Sequence, residues 1–157
     1  MESLMALWHF DCVAIPVSSS DAVKGIQLSE LSDEVWQGAA VDAASAILAT
    51  LGPSHKGWCE DLNVWGNEDK TCVLMMADGA SMVELRLRID ALDVDAELLQ
   101  KFLAISERQG WSLLTEDGEV VAPAMMSLLD AVRRSRAAEY SRDAEGYFRR
   151  LPRKNIP

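Results

Sequence analysis

The pattern of apolar and polar positions is clearest between residues 58 and 91. Leu62-Asn63-Val64-Trp65 predicts a strand, and Gly66-Asn67-Glu68-Asp69 predicts a turn. Thr71-Cys72-Val73-Leu74-Met75-Met76 is apolar at both parities, which suits a strand in the middle of a sheet. Asp78-Gly79 is a turn dipeptide leading into residues 82–90. There Val83, Leu85, Leu87 and Ile89 define one face, and Glu84, Arg86, Arg88 and Asp90 the other. Three strands joined by short turns make an antiparallel meander.

Upstream, residues 7–15 predict a strand with Trp8, Phe10, Cys12 and Ala14 on one face and His9 and Asp11 on the other. Pro16 and Ser18-Ser19-Ser20-Asp21 close it, and residues 18–31 read as a loop. A helix is expected from an N-cap at Ser32 to the stop at Gly52-Pro53. Its apolar stripe would run through Trp36, Ala40, Ala43, Ile47 and Leu51.

A second helix should start near Asp95, with Val94 and Leu99 as a hydrophobic staple, and end at Gly110. Leu98, Leu99, Phe102 and Ile105 supply its buried face. Residues 111–115 and 119–122 flank Glu116-Asp117-Gly118 and predict a hairpin. Pro123 precedes a helix carrying Met125, Leu128, Leu129 and Val132 inward, and a last helix over residues 143–151 would bury Tyr147, Phe148 and Leu151. The element order predicts an α+β fold: an antiparallel sheet of about five to six strands with helices packed mainly on one face. At 157 residues, one domain over residues 1–157 is expected, with a basic helical C-terminal segment over 124–157.

Charge refines this picture. The chain carries 25 acidic and 15 basic side chains, for a net charge of −10. Residues 131–157 hold eight basic against three acidic residues, net +5, leaving seven against twenty-two, net −15, in the preceding part. Such a surface disfavours nucleic acid and anionic membranes as partners. The basic end, with Tyr140 and Tyr147 as stacking platforms, could contact nucleic acid, but pairing of its arginines with the acidic body accounts for them more simply. Cys12, Cys59 and Cys72 are an odd set without CxxC spacing, which argues against a disulfide framework or a zinc site and for buried reduced thiols. Met1-Glu2-Ser3-Leu4 lacks the start of a signal peptide, so a cytoplasmic protein is expected.

No catalytic or cofactor signature stands out. His9 and His55 show no spacing that pairs them with a nucleophile. Asp90, Asp93 and Asp95 fail the EF-hand pattern and read as a strand end followed by a helix cap. No Gly-rich phosphate loop is present in the sequence, so no enzyme, metal or cofactor is expected. The better lead is a partner-binding surface built from Glu60, Asp61, Glu68, Asp69, Glu116 and Asp117 in the turns and Glu84, Arg86, Arg88 and Asp90 on an outward sheet face. Acidic turns steer a basic partner, and arginines flanked by acids suit bidentate recognition.

Val64-Trp65-Gly66, the alternating run from Val83 to Asp90 and the tail Ser135-Arg136-Ala137-Ala138-Glu139-Tyr140, in a small, strongly acidic, Trp-rich α+β chain, resemble the immunity proteins of bacterial toxin–immunity pairs of type VI or contact-dependent systems. That resemblance implies a cytoplasmic inhibitor that binds a cognate protein toxin or effector and blocks its active site. A non-neutralising adaptor or chaperone-like module for a secreted effector is the alternative. Five tryptophans exceed what one modest core needs, which leaves a homodimer open as well.

Overall fold

The computed structural model describes residues 9–36 and 38–135. Seven strands form there: β1 (His9–Pro16), β2 (His55–Lys56), β3 (Leu62–Gly66), β4 (Cys72–Asp78), β5 (Ser81–Asp90), β6 (Trp111–Thr115) and β7 (Val120–Val121). They make one sheet in the order β2-β3-β4-β5-β1-β6-β7, with every neighbouring pair antiparallel. The protein is therefore α+β with an antiparallel sheet. The strand beyond the expected six is β2, a two-residue edge piece that its polar sequence hides.

One face of the sheet carries the main core. Phe10, Cys12 and Ala14 of β1, Val73 and Met75 of β4, and Leu85, Leu87 and Ile89 of β5 meet the helices there. Those helices are α2 (Val41–Leu48), α3 (Ala96–Gln109) and α4 (Met125–Arg133). Leu99, Phe102 and Ile105 of α3 and Leu128 and Val132 of α4 are buried against the sheet, as their spacing predicts. The Asp95 side chain caps α3 by accepting from the Leu98 N–H at 3.1 Å, and Gly110 ends it. Val94, expected as a staple, is left exposed. Trp36 lies edge-on to Trp111, with centroids 5.5 Å apart, and donates its indole N–H to the Ala14 carbonyl at 3.1 Å. Trp36, Trp65 and Trp111 are all core residues, which weakens the case that surplus tryptophans mark an interface.

Two expectations need correction. The helix expected over residues 32–52 is broken: Asp33–Trp36 is a 3-10 turn, α2 covers only Val41–Leu48, and Ala49–Leu51 is again 3-10. Gly38 sits at φ +85°, a left-handed conformation that halts the first turn. The backbone then pairs with the sheet, Met82 N–H donating to the Ala39 carbonyl and Val41 N–H to the Ala80 carbonyl, both at 2.9 Å. Ala44 and Leu48 accordingly form the buried stripe in place of Ala43 and Ile47.

The second correction concerns Val83. Met76 pairs with Glu84 while Ala77 pairs with Met82, so Val83 is the extra residue of a β-bulge. The bulge shifts the parity of β5, placing Met82 with Leu85, Leu87 and Ile89 in the core and leaving Val83 outside it. Between Ser18 and Leu31 the chain makes short helical turns, including α1 (Ser20–Val23), which lies over the second face of the sheet. The helix expected over 143–151 lies outside the described residues.

Candidate functional site

The second face of the sheet is divided. Over β1 and β6, Val13, Ile15 and Leu114 are covered by Val23 and partly buried Ile26, Leu28 and Leu31. Over β3 and β4, Leu62, Val64, Cys72 and Leu74 form a smaller cluster with Cys59 and Met76. Strand register runs a charged seam between them. Arg86 pairs with Leu74 on one side and Val13 on the other, and Arg88 stands between Cys72 and Asp11 in the adjoining row.

Asp11 is the hub of that seam. Its carboxylate accepts from Arg86 Nη1 at 3.0 Å, from Arg88 Nε at 3.1 Å and from Arg88 Nη2 at 3.3 Å, with its side chain 2% exposed. Arg86 also forks onto Glu84, Nε to Oε2 at 3.0 Å and Nη2 to Oε1 at 3.2 Å. Burial acts to lower the Arg86 pKa, but the hydrogen bonds and charges of Glu84 and Asp11 outweigh it and hold the guanidinium above its ordinary value. Arg88 Nη1 reaches the Glu68 carbonyl at 3.3 Å, so the seam also fastens the β3–β4 turn. Two carboxylates against two guanidiniums make the interior of the seam neutral, and this arrangement lets charges lie so deep.

Beside the seam lies a half-open concavity of about 280 Å³, floored by Asp11, Arg86 and Arg88 and walled by Trp58, Leu62, Leu74, Met76 and Glu84. Trp58 is 56% exposed, though large and apolar. It is carried by the loop between β2 and β3, which lies close over the sheet: a Cβ built on Gly57 would fall 2.4 Å from Leu62 Cδ2 and 3.1 Å from Val64 Cγ2. Only glycine allows that approach without displacing packed side chains. The Gly57 N–H donates to the Leu62 carbonyl at 2.9 Å, fixing the loop where Trp58 begins.

The candidate residues drawn from the sequence separate in space. Glu84, Arg86 and Arg88 come together in the seam. Glu68, Asp69, Glu116 and Asp117 share one end of the sheet, because β3, β5 and β6 all finish there. The Asp69 carbonyl hydrogen-bonds His9 Nε2 at 2.9 Å, and Glu116 Oε2 accepts from the Asp11 N–H at 3.4 Å. Glu60 and Asp61 lie at the opposite end, where the Asp61 carbonyl accepts from the Ala77 N–H.

Asp90 leaves the outward ladder. It is buried, and its Oδ1 accepts from the N–H groups of Leu92 at 2.8 Å and Asp93 at 3.2 Å, which makes it a turn cap. Within the basic C-terminal segment, Arg134 pairs with Glu119 at 3.3 Å and Asp130 at 3.5 Å. Residues 136–157 lie outside the described part.

Asp11 and Trp58 were not among the sequence candidates. A lone carboxylate inside an apolar strand, matched to an Arg-x-Arg pair elsewhere, is the signal for the first. A tryptophan next to glycine in a polar loop is the signal for the second. Cys12 and Cys72 are buried thiols. Burial pushes Cys72 up to about 12 although Arg88 draws it back, and burial raises Cys12 as well.

Fold and site together define a class, an α+β protein with an antiparallel sheet, helices mainly on one face and an ion-paired concavity on the other. No protein-family model, curated protein or solved structure matches the chain. Among the described residues no helix is long and apolar enough to cross a membrane.

Proposed function

We propose that this chain is an immunity-type inhibitor, a cytoplasmic protein that binds a cognate bacterial toxin or effector domain and blocks its active site by covering it. The observation that carries the reading is the concavity beside Trp58. An exposed tryptophan next to Leu62, Leu74 and Met76, over charges already paired with one another, suits the centre of a protein interface. Because Arg86 and Arg88 hold their carboxylates before any partner arrives, covering the seam leaves no unpaired charge. Acidic side chains at Glu68, Asp69, Glu116 and Asp117 ring one end of the sheet and favour a basic partner.

The test is co-expression with the product of an adjacent toxin-like gene, followed by capture of the complex and a growth assay. A one-to-one complex that protects the cell is the expected result. A complex without protection assigns the chain to adaptors that do not neutralise their cargo. Absence of both the complex and the protection overturns the reading.

A further inference from the structure

We propose that the concavity beside Trp58 accepts one arginine side chain presented by a basic protein partner. Its aliphatic stem lies against Leu62, Leu74 and Met76, and its guanidinium lies between the Trp58 ring and the Glu84 carboxylate. This deepens the protein-binding reading above, on which it rests, by naming the chemistry that the site anchors.

Size fits a single side chain. At about 280 Å³ the concavity lies at the small end of the roughly 300–1,000 Å³ of typical ligand sites. One long side chain fills such a space, and the walls suit a side chain with an apolar stem and a polar head.

Charge chooses the sign of the head. The guanidiniums of Arg86 and Arg88 each already make three hydrogen bonds, to Glu84, Asp11 and the Glu68 carbonyl. An incoming anion would meet guanidiniums whose charge Glu84 and Asp11 already offset, on a chain of net charge −10. A cation meets the reverse situation. Each Glu84 oxygen accepts one bond from Arg86 and retains a second lone pair, and the Glu84 side chain is 32% exposed. A planar guanidinium satisfies both surfaces at once, stacking on an indole while forking onto a carboxylate. A lysine ammonium offers no flat face, which favours arginine.

The experiment follows the indole N–H of Trp58 by NMR during titration with N-acetyl-arginine-amide. Titrations with N-acetyl-citrulline-amide, the uncharged counterpart, and N-acetyl-glutamate-amide run beside it. A saturable shift with the arginine compound is expected, at least about threefold weaker with the citrulline compound and absent with the glutamate compound. Trp58→Ala should abolish binding, read then from the Met76 methyl signal, and Glu84→Gln should weaken it, with circular dichroism confirming that both variants fold. Equal binding of the citrulline compound, preference for the glutamate compound, or binding unchanged in both variants overturns the proposal. Failure of the parent reading looks different. A chain that binds the arginine compound but captures no toxin keeps this inference and loses the inhibitor function. A protective toxin complex indifferent to both substitutions, with no arginine binding, does the opposite.

Discussion

Asp11 and Arg88 lie 77 residues apart and are joined by two hydrogen bonds of 3.1 and 3.3 Å, while Arg86 holds the same carboxylate at 3.0 Å. This shared carboxylate links β1 to β5, the longest of the described strands. Around it Asp11 and Arg88 are buried, while Arg86 and Glu84 stay partly exposed.

Asp11→Ala should destabilise the fold by about 3–5 kcal/mol, because it leaves two guanidiniums short of a partner in a poorly hydrated place. Urea denaturation measures the loss. Adding Arg88→Met to Asp11→Ala should recover part of it. A double variant as unstable as the sum of the two single ones would show that the residues are not coupled.

Gly57→Ala should cost roughly 1–3 kcal/mol through overpacking against Leu62 and Val64. It should also move Trp58, changing the quenching of its fluorescence by acrylamide relative to the buried tryptophans. Unchanged stability and quenching would mean that the loop does not need its close approach.

Alkylation in the native state should label half-buried Cys59 first, with Cys12 and Cys72 reacting only after unfolding. Mass spectrometry of peptides taken during the reaction reads the order directly. Labelling of all three at one rate would contradict the burial described here.

The raised thiols also set a pH dependence. The folded Cys72 pKa, about 12, lies above the ordinary value of 9.0, so its contribution to stability is fully present below about pH 9 and is lost as pH climbs towards 12. Burial gives Cys12 the same sign. Urea midpoints between pH 8 and pH 11, a range of about three units on the same linkage, should therefore fall with pH, and fall less steeply in Cys72→Ala. Equal slopes in the two proteins would count against this account.

Much of the fold was readable because local signals agreed with the tertiary structure. Alternation in residues 82–90, the cap at Asp95 and the stop at Gly110 each act within a few residues of themselves, so the meander and α3 emerge as expected. The broken helix before Gly52 was hidden because a run of alanines satisfies a helical pattern. What interrupts it is a pairing of Ala39 and Val41 with a hairpin 40 residues later. Val83 was misplaced for a related reason: with Met82 and Val83 both apolar, the sequence does not say which one the bulge expels. Glu84, Arg86 and Arg88 were legible as candidates, whereas Asp11 becomes one only when β1 lies beside β5.

That position of β1 has a consequence for how the protein is made. The strand leaves the ribosome before both of its neighbours, residues 86–90 and 111–115, which are synthesised long afterwards. Pairings so distant in sequence close slowly. The middle of the sheet is thus completed late, and until then a nascent strand with Phe10, Val13 and Ile15 is held by neither neighbour. Synthesis of this chain therefore includes an interval in which β1 depends for shelter on residues made well after it.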